Sequence, residues 1–287
     1  MPESAAALYP NELQSLFDTP AIVFRDHRWT LPVIYRAAEL GLISLPVRLV
    51  TFDRHRDSLV PEDDNKILDT FRRRPKGFDE LIHIVKFHLS PRDDDWIIAG
   101  MELGLISDVI QFGSGSGASE DCCRDHKDCR GDSHRIFHLG RPVSEISYKG
   151  ALADVSHAAA AAGLWETLEL SQERCEFAGG DPLVFDIDLD YFTLAWEKYT
   201  LPYNDELFRG EFLTDCQSAR YDDCRPTDLV KNLVEHAGIV SIATEPQFCD
   251  GVEKTRSILS NMNRYLFDSQ LDIDTIDVDY HPPYPTE

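Results

Sequence analysis

The sequence predicts an α/β protein of three layers, in which helices cover both faces of a mainly parallel β-sheet. Short runs rich in β-branched and aromatic residues alternate with longer amphipathic segments, as in consecutive β-α-β units. The apolar runs show little polar alternation, which indicates strands buried on both faces. With 287 residues, 43% of them hydrophobic, the chain is long enough for one large domain spanning 1–287.

The N-terminal half supplies the first strands and helices of this pattern. The predicted strands are AIVFRD (21–26), VRLVTFD ending at Asp53, DVIQFG and HRIFHLG. The predicted helices are LPVIYRAAELGLI (31–43), DELIHIVKFHL and DDWIIAGMELGLI. The polar, turn-rich segment 113–133 separates the last two strands and is expected to be an exposed loop.

The C-terminal half continues the alternation. An alanine-rich stretch, 151–170, is predicted as a helix, and PLVFDIDL (182–189) as a buried strand. RPTDLVKNLVEHAG is a helix, IVSIATE (239–245) a strand, and GVEKTRSILSNMNRYLF the closing helix. The acidic tail, about 270–287, is expected to be a solvated extension.

The charge balance excludes two classes of partner. The chain has 51 acidic and 28 basic residues, a formal net charge of −23, which repels nucleic acid and anionic membranes. No run approaches the roughly 20 apolar residues of a spanning helix, and the N-terminus lacks a secretory signal pattern. Seven cysteines without a framework fit reduced thiols, so we expect a cytoplasmic protein.

One cysteine-rich segment, CCRDHKDC, has the composition of a zinc site. Cys122 or Cys123 with His126 and Cys129 could supply thiolate and imidazole ligands. No second ligand pair follows at the spacing of a zinc finger. The segment alone is weak evidence for zinc.

Charged residues follow several predicted strands at the point where each ends. Asp53 ends one strand, Asp186 and Asp188 end another, Glu245 ends a third, and His27 follows the first. Ligand crevices in parallel sheets lie beyond the carboxyl ends of the strands. We therefore expect these side chains to meet at one edge of the sheet.

Their spacing indicates metal ligands. Asp53, His55 and Asp57 alternate in FDRHRD, so an extended backbone points all three to one side, and the same holds for Asp186 and Asp188. So many buried charges require cations, and carboxylates mixed with imidazoles favour two manganese ions over zinc or calcium. Either motif alone is common in solvated turns. Only its position at the end of a buried strand favours a role in metal binding.

The ordered set of motifs resembles the arginase and agmatinase ureohydrolases. The segments VTFDRHRD, DDDWIIAG, VFDIDLDYF and IATEPQFCDG look most like the branch containing peptide arginases, which convert arginine residues of ribosomally made precursor peptides to ornithine. The resemblance runs from about His27 to Phe267. It implies an arginase-like fold, two Mn²⁺ ions, release of urea and a precursor peptide as partner.

The resemblance also implies roles for individual residues. Asp53 and Asp186 are expected to bridge the two ions, His27 and Asp57 to complete one, and His55 and Asp188 the other. Glu245, in ATEP, matches the acid that holds the guanidinium group. The alternative is a structural role, in which its carboxylate lies at the start of a helix before Pro246. The expected catalytic acids are Asp57, Asp190 and Asp95.

The motifs depart from those of the better-known arginases in two places. FRDHRW replaces their glycine-rich context at the first histidine, and their histidine proton shuttle has no evident counterpart. Proton delivery is assigned to His88 or to one of Asp93, Asp94 and Asp95, with Asp95 alternatively capping the next helix.

Other functions fit parts of the pattern. The chain could hydrolyse a small free guanidine or amide. Zinc amidohydrolases and deacetylases use adjacent histidines, and two-metal phosphodiesterases use a phosphate-binding glycine loop; both features are absent from the sequence beside these motifs. A non-enzymatic alternative is an acidic protein that binds calcium.

Overall fold

The structure is a computed structural model, and it describes residues 13–61, 65–113, 122–139, 182–196, 199–213 and 226–279. The predicted helix at 151–170 lies outside these ranges. The described strands are β1 (Gln14–Leu16), β2 (Thr19–Phe24), β3 (Val47–Phe52), β4 (Ile106–Phe112), β5 (Cys122–Lys127), β6 (Ser133–Leu139), β7 (Leu183–Asp188), β8 (Thr193–Trp196), β9 (Tyr199–Pro202) and β10 (Ala237–Ala243).

Helices precede or follow most of these strands. The described α-helices are α1 (Thr30–Glu39), α2 (Asn65–Arg73), α3 (Phe78–Phe87), α4 (Trp96–Glu102), α5 (Asp205–Phe212), α6 (Pro226–His236) and α7 (Val252–Leu266). Short 3-10 turns occur at His27–Trp29, Leu189–Phe192 and Ile273–Thr275. Among the described helices, none has the length and apolar composition needed to cross a bilayer.

Eight strands form one sheet, in the order β1-β2-β10-β7-β3-β4-β6-β5. The six inner strands run parallel, and β1 and β5 pair antiparallel at the two edges. The predicted α/β class with a mainly parallel sheet is confirmed. The antiparallel β1 was not predicted, and β5 lies inside the segment expected to be a loop.

Two hydrophobic clusters cover the sheet, one on each face. On β3, Val50 and Phe52 belong to one cluster, whereas Val47 and Leu49 belong to the other. Helices α1 and α4 supply the cluster around Leu49, and α5, α6 and α7 supply the one around Phe52. Alternate residues of a strand point to opposite faces, so this division produces the predicted three layers.

The beginning of the acidic tail is packed onto the domain, contrary to the expectation of a solvated extension. Leu271, Ile276 and Val278 are buried, and the hydroxyl of Thr244 donates to the carbonyl of Val278 at 2.8 Å. The apolar residues among the tail acids explain this packing, because their burial removes apolar surface from water. Residues 280–287 lie outside the described ranges.

Candidate metal centre

The site is built at the carboxyl ends of four neighbouring parallel strands. The sheet order places β2, β10, β7 and β3 side by side. His27 follows β2, Glu245 follows β10, Asp188 ends β7 and Asp53 follows β3. The expectation that separate strand ends bring these side chains to one edge of the sheet is therefore met.

One group of ligand atoms surrounds the imidazole of His27. Its Nδ1 lies 3.0 Å from Oδ2 of Asp57, 3.5 Å from Oδ2 of Asp188 and 3.8 Å from Oδ2 of Asp53. Ligand atoms about 2.1 Å from one ion lie about 3 to 3.5 Å from one another. The four side chains thus have close to the spacing that one bound cation imposes.

A second group lies beside the first and shares residues with it. Asp53, His55, Asp188 and Asp190 each present one ligand atom, and all four atoms lie within 4.8 Å of one another. Nδ1 of His55 is 2.7 Å from Oδ2 of Asp190. Asp53 belongs to both groups, and Asp188 approaches His27 from the second group. Two cations could therefore share these two carboxylates.

Asp186, which was expected to bridge the ions, occupies a different position. Its oxygens accept hydrogen bonds from Nε2 of His27 at 2.6 Å and from the hydroxyls of Thr30, Thr51 and Ser241. Thr51 on β3 and Ser241 on β10 are its register partners in the sheet. The structure therefore places Asp186 outside the converging ligand atoms, and Asp190, expected as a catalytic acid, inside them.

This position gives Asp186 a clear role toward His27. When Nε2 donates to a carboxylate, the lone pair of the imidazole is left on Nδ1, which is the atom that faces Asp53, Asp57 and Asp188. Carboxylates commonly orient metal-binding histidines in this way. Asp186 thus fixes the orientation of the His27 imidazole.

Two further side chains hold the carboxylates in place, and sequence reasoning missed both roles. Nε2 of Gln111, on β4, donates to Oδ2 of Asp53 at 2.8 Å and to the carbonyl of His55 at 2.6 Å. Nε1 of Trp96 donates to Oδ2 of Asp57 at 2.8 Å. A glutamine in the otherwise apolar end of a buried strand was the available signal for the first contact.

The site is strongly charged, and its side chains are buried except that of His55. Burial, followed by the charge of Asp57, raises the pKa of Asp53 well above its usual range, and burial with the charge of Asp190 does the same to Asp188. Burial lowers the pKa of His55, but the hydrogen bond and charge of Asp190 outweigh it and raise this pKa to about 9. The acids repel one another so strongly that the site favours added positive charge.

Buried polar atoms without hydrogen-bond partners indicate where a cation would bind. Nδ1 of His27 and Oδ2 of Asp188 are buried and have no hydrogen-bond partner. Buried polar atoms without partners are rare and costly in native proteins. Both residues belong to the converging groups, so the donor set fits divalent cations.

The backbone is strained at the same place. Asp57, Asp93 and Glu245 have φ values of 43°, 57° and 36°, in the left-handed region that non-glycine residues avoid. Each such residue costs on the order of 1–3 kcal/mol and persists only where its surroundings enforce it. These three acids are held in set directions by the fold.

Glu245 lies next to the ligand groups, as the sequence predicted. It is 2% exposed, and its Oε1 accepts from the backbone N–H of His27 at 3.1 Å. Residues 246–250 form turns and α7 begins only at Val252, so the carboxylate is not a helix-entry cap. Burial, followed by the charge of Asp188, raises its pKa well above the usual range.

Of the proposed proton carriers, His88, Asp94 and Asp95 line a cleft of about 470 Å³, and Asp93 does not. Asp95 stands at the N-cap position of α4 but makes no side-chain cap; both its oxygens accept from the N–H of Ser90 at 3.1 Å. Burial raises the pKa of Asp95 to about 6, and burial lowers that of His88.

The structure gives no support to a zinc site at the cysteine-rich segment. Nε2 of His126 lies 2.8 Å from Oε1 of Glu102, and Oε2 of Glu102 accepts from the N–H of Cys129. The side chains of Cys122 and Cys123 lie outside the description. Among the side chains that are described, those of this segment belong to no group with metal-binding geometry.

Comparison with solved structures gives partial likenesses, among them an agmatinase and an amidino hydrolase. A hypothetical agmatinase from Burkholderia thailandensis aligns with 86% of this chain and 57% of its own, at 16% identity and a TM-score of 0.43. Proclavaminate amidino hydrolase from Streptomyces clavuligerus aligns with 86% of this chain and 62% of its own, at 15% identity and a TM-score of 0.38. No protein-family model and no curated protein matches the chain. This chain thus spans about three fifths of either neighbour, and function has to be inferred from the geometry of its site.

Proposed function

We propose that this chain is a binuclear manganese hydrolase that converts arginine residues of a precursor peptide to ornithine and releases urea. The observation that carries the proposal is the pair of ligand groups that share Asp53, together with buried atoms of His27 and Asp188 that have no hydrogen-bond partner. The residues that hold the ions are His27, Asp53, His55, Asp57, Asp188 and Asp190.

The ligand set differs from the sequence-based expectation by one residue. Asp188 and Asp190 would hold the ions, in place of the expected pair Asp186 and Asp188. When bound, two divalent cations lower the pKa of water and stabilise negative charge that develops during hydrolysis. Asp186, Gln111 and Trp96 hold ligands in position for this chemistry.

Glu245 supplies the contact with substrate. An ionised carboxylate binds a guanidinium group through charge-assisted, bidentate hydrogen bonds. In the reaction, water adds its oxygen to the guanidinium carbon, and the bond from that carbon to the side-chain nitrogen breaks. The departing amine gains a proton, so the products are urea and the ornithine ammonium group.

Proton delivery is assigned to Asp95. Burial brings its pKa to about 6, close to the value at which an acid both holds and gives up a proton near neutral pH. Its carboxyl lines the cleft. Asp57 and Asp190, expected as catalytic acids, act as ligands in this proposal because both lie within the converging groups.

Exposed apolar side chains in the cleft support a substrate larger than free arginine. Leu59, Val60 and Phe87 line it and are each more than half exposed, although they are large apolar residues. Asp57 lies only two residues before Leu59. An arginine inserted toward Glu245 would leave its neighbouring residues beside this apolar surface.

The proposal is tested by urea release. Manganese-loaded protein is given an arginine-containing peptide, free L-arginine and agmatine at equal concentration. We expect the highest kcat/KM for the peptide and no urea from the Asp53→Ala variant. Preference for a free guanidine would move the proposal to a small-molecule ureohydrolase. Absence of urea from every substrate, with two manganese ions bound, would overturn it, and loose binding of calcium in variable amount would favour the non-enzymatic alternative.

A further inference from the structure

Three of the proposed ligands lie on one short segment, residues 53–59, which we call the ligand loop. Its first half is held from β4, where Nε2 of Gln111 donates to Oδ2 of Asp53 and to the carbonyl of His55. The third ligand, Asp57, lies in the second half and has a left-handed φ of 43°. Such a conformation persists only where neighbouring groups enforce it. The second half therefore needs supporting contacts of its own.

Contacts from α4 and the turn before it hold the residues on both sides of Ser58. The carbonyl of Asp57 accepts from the N–H of Ile97 at 3.1 Å. The N–H of Leu59 donates to the carbonyl of Asp94 at 2.9 Å. Ser58 itself is 2% exposed, and its own hydrogen bonds are made to a different part of the fold.

The hairpin of β5 and β6 supplies the contacts of Ser58. Nη1 of Arg124, on β5, donates to the carbonyl of Ser58 at 2.9 Å. Nε2 of His138, on β6, lies 3.4 Å from Oγ of Ser58, and the tautomer of the imidazole decides which of the two atoms donates. The hairpin thus bonds to both the backbone and the side chain of the residue that follows a ligand.

The sheet places His138 beside the residue that supports the first half of the ligand loop. His138 is the register partner of Gln111 on the neighbouring strand β4, and it is 3% exposed. Burial, followed by the charges of Arg56 and Arg124, lowers the pKa of His138 to about 4, so its imidazole is neutral at pH 7. A buried polar group costs free energy unless it is hydrogen-bonded. The ring therefore acts on Ser58 through hydrogen bonding and not through charge.

We propose that the hairpin of β5 and β6 positions the metal ligand Asp57 by holding the residue after it. His138 and Arg124 are the positioning residues, and they act through Ser58 without contacting an ion. The inference rests on the proposed ligand set, to whose supporting residues it adds a hairpin that lies beyond β4 in the sheet.

The proposal predicts unequal effects on the two ions. Asp57 shares a ligand group with His27, whereas His55 belongs to the other group. When the contacts of Ser58 are lost, Gln111 still holds the first half of the ligand loop. One ion should therefore be bound more weakly while the other is retained. A contact that served only folding would lower the stability of the domain without distinguishing the ions.

The test measures the two stepwise affinities for Mn²⁺ by titrating the metal-free protein in a calorimeter, with the melting temperature of each variant recorded. His138→Phe removes the hydrogen bond and keeps a planar ring, and His138→Gln restores a hydrogen-bonding group. Arg124→Gln removes the second contact at an exposed position, where substitution should not unfold the protein. His134→Phe is the matched control, because His134 is also buried on β6 but bonds to the carbonyl of Ser107.

We expect His138→Phe and Arg124→Gln each to weaken one of the two manganese affinities by about 3- to 10-fold, as for loss of one hydrogen bond, and to leave the other unchanged. His138→Gln should recover most of the loss, and His134→Phe should bind both ions as wild type does. Two unchanged affinities in folded His138→Phe, or an equal loss of both, would refute the positioning role. If His138→Phe does not fold, Arg124→Gln decides by the same criteria.

This readout is independent of urea release, so a protein without hydrolytic activity can still show the positioning role. Wild-type protein that bound no manganese would overturn the ligand set itself, and the positioning role with it. Wild-type protein that bound two ions, with variants that did the same at equal affinity, would overturn the positioning role alone.

Discussion

Two of the described regions combine histidines with buried acids, and they differ in how the carboxylate oxygens are hydrogen-bonded. In the region of Glu102 and Asp128, every carboxylate oxygen accepts a hydrogen bond from His126, Arg130 or a backbone N–H. At the candidate metal centre, Oδ2 of Asp188 has no such partner, and the contact of Oδ2 of Asp190 is with Nδ1 of His55, another residue of the same ligand group.

The pKa values follow the same division. Burial alone would raise the pKa of Glu102 and Asp128, but hydrogen bonds outweigh it and lower both values. At the metal centre, burial and neighbouring acids raise the pKa of Asp53 and Asp188. Residue type therefore does not distinguish a metal site from a structural network. Convergence of ligand atoms together with missing partners does.

The largest expected effect is that of removing a shared carboxylate. Asp188→Asn should lower manganese affinity by more than about 100-fold, beyond the 10- to 100-fold range typical of residues that only support a ligand. It should also abolish urea release, because both ion sites lose a negative ligand. Metal content after dialysis, measured by mass spectrometry, checks this. Retention of two tightly bound ions would remove Asp188 from the ligand set.

A smaller loss of manganese affinity is expected when Asp186, two residues earlier in the same strand, is substituted. Asp186→Asn should lower manganese affinity by about 10- to 100-fold, because the amide oxygen still accepts from His27 but without a full negative charge. The same dialysis measurement compares it directly with Asp188→Asn. If Asp186→Asn lost as much metal as Asp188→Asn, Asp186 would be a ligand, as first expected from the sequence.

The smallest effect on manganese binding is expected for a substitution in the hydrogen-bonded network of Glu102 and Asp128. Glu102→Gln should leave manganese content unchanged and destabilise the fold by about 1–3 kcal/mol, the range for hydrogen bonds to a charged group. Urea denaturation at neutral pH measures the loss. A fall in manganese content would show that the two regions are not independent.

The pH dependence of that variant gives a second check. The folded pKa of Glu102 lies below its ordinary value of 4.5, so the folded state binds the proton less readily than the unfolded chain. Its contribution is therefore present above pH 4.5 and is lost as pH falls through the folded pKa. The difference in free energy of unfolding between wild type and Glu102→Gln should therefore decrease as pH falls. A difference in free energy of unfolding that increases as pH falls would contradict the assignment of Glu102 to the structural network.

The sequence predicted the sheet class and the edge where the site lies, because both depend on where buried strands end. It could not decide which acids of FDIDLD face the metal. Asp186, Asp188 and Asp190 alternate, and only the register of β7 shows that Asp186 lies between two hydroxyl-bearing neighbours. The remaining two acids then fall at and beyond the strand end, where they meet His55 and Asp53.

Contacts that join distant segments were also beyond the sequence. The contact between the carboxylate of Glu245 and the backbone N–H of His27 depends on how the ends of β2 and β10 pack together, and no local pattern encodes it. The packing of Ile276 and Val278 was hidden in the same way, because their acidic neighbours dominate the composition of the tail. By contrast, the spacing of Asp53, His55 and Asp57 is local, and the structure brings those three together as expected.

The most direct test of this account is a crystal structure of the manganese-loaded protein with anomalous difference maps. The account predicts two manganese peaks, both contacted by Asp53 and Asp188, with His27 and Asp57 on one ion and His55 and Asp190 on the other. A single peak, or a peak coordinated by Asp186 in place of Asp188, would contradict it.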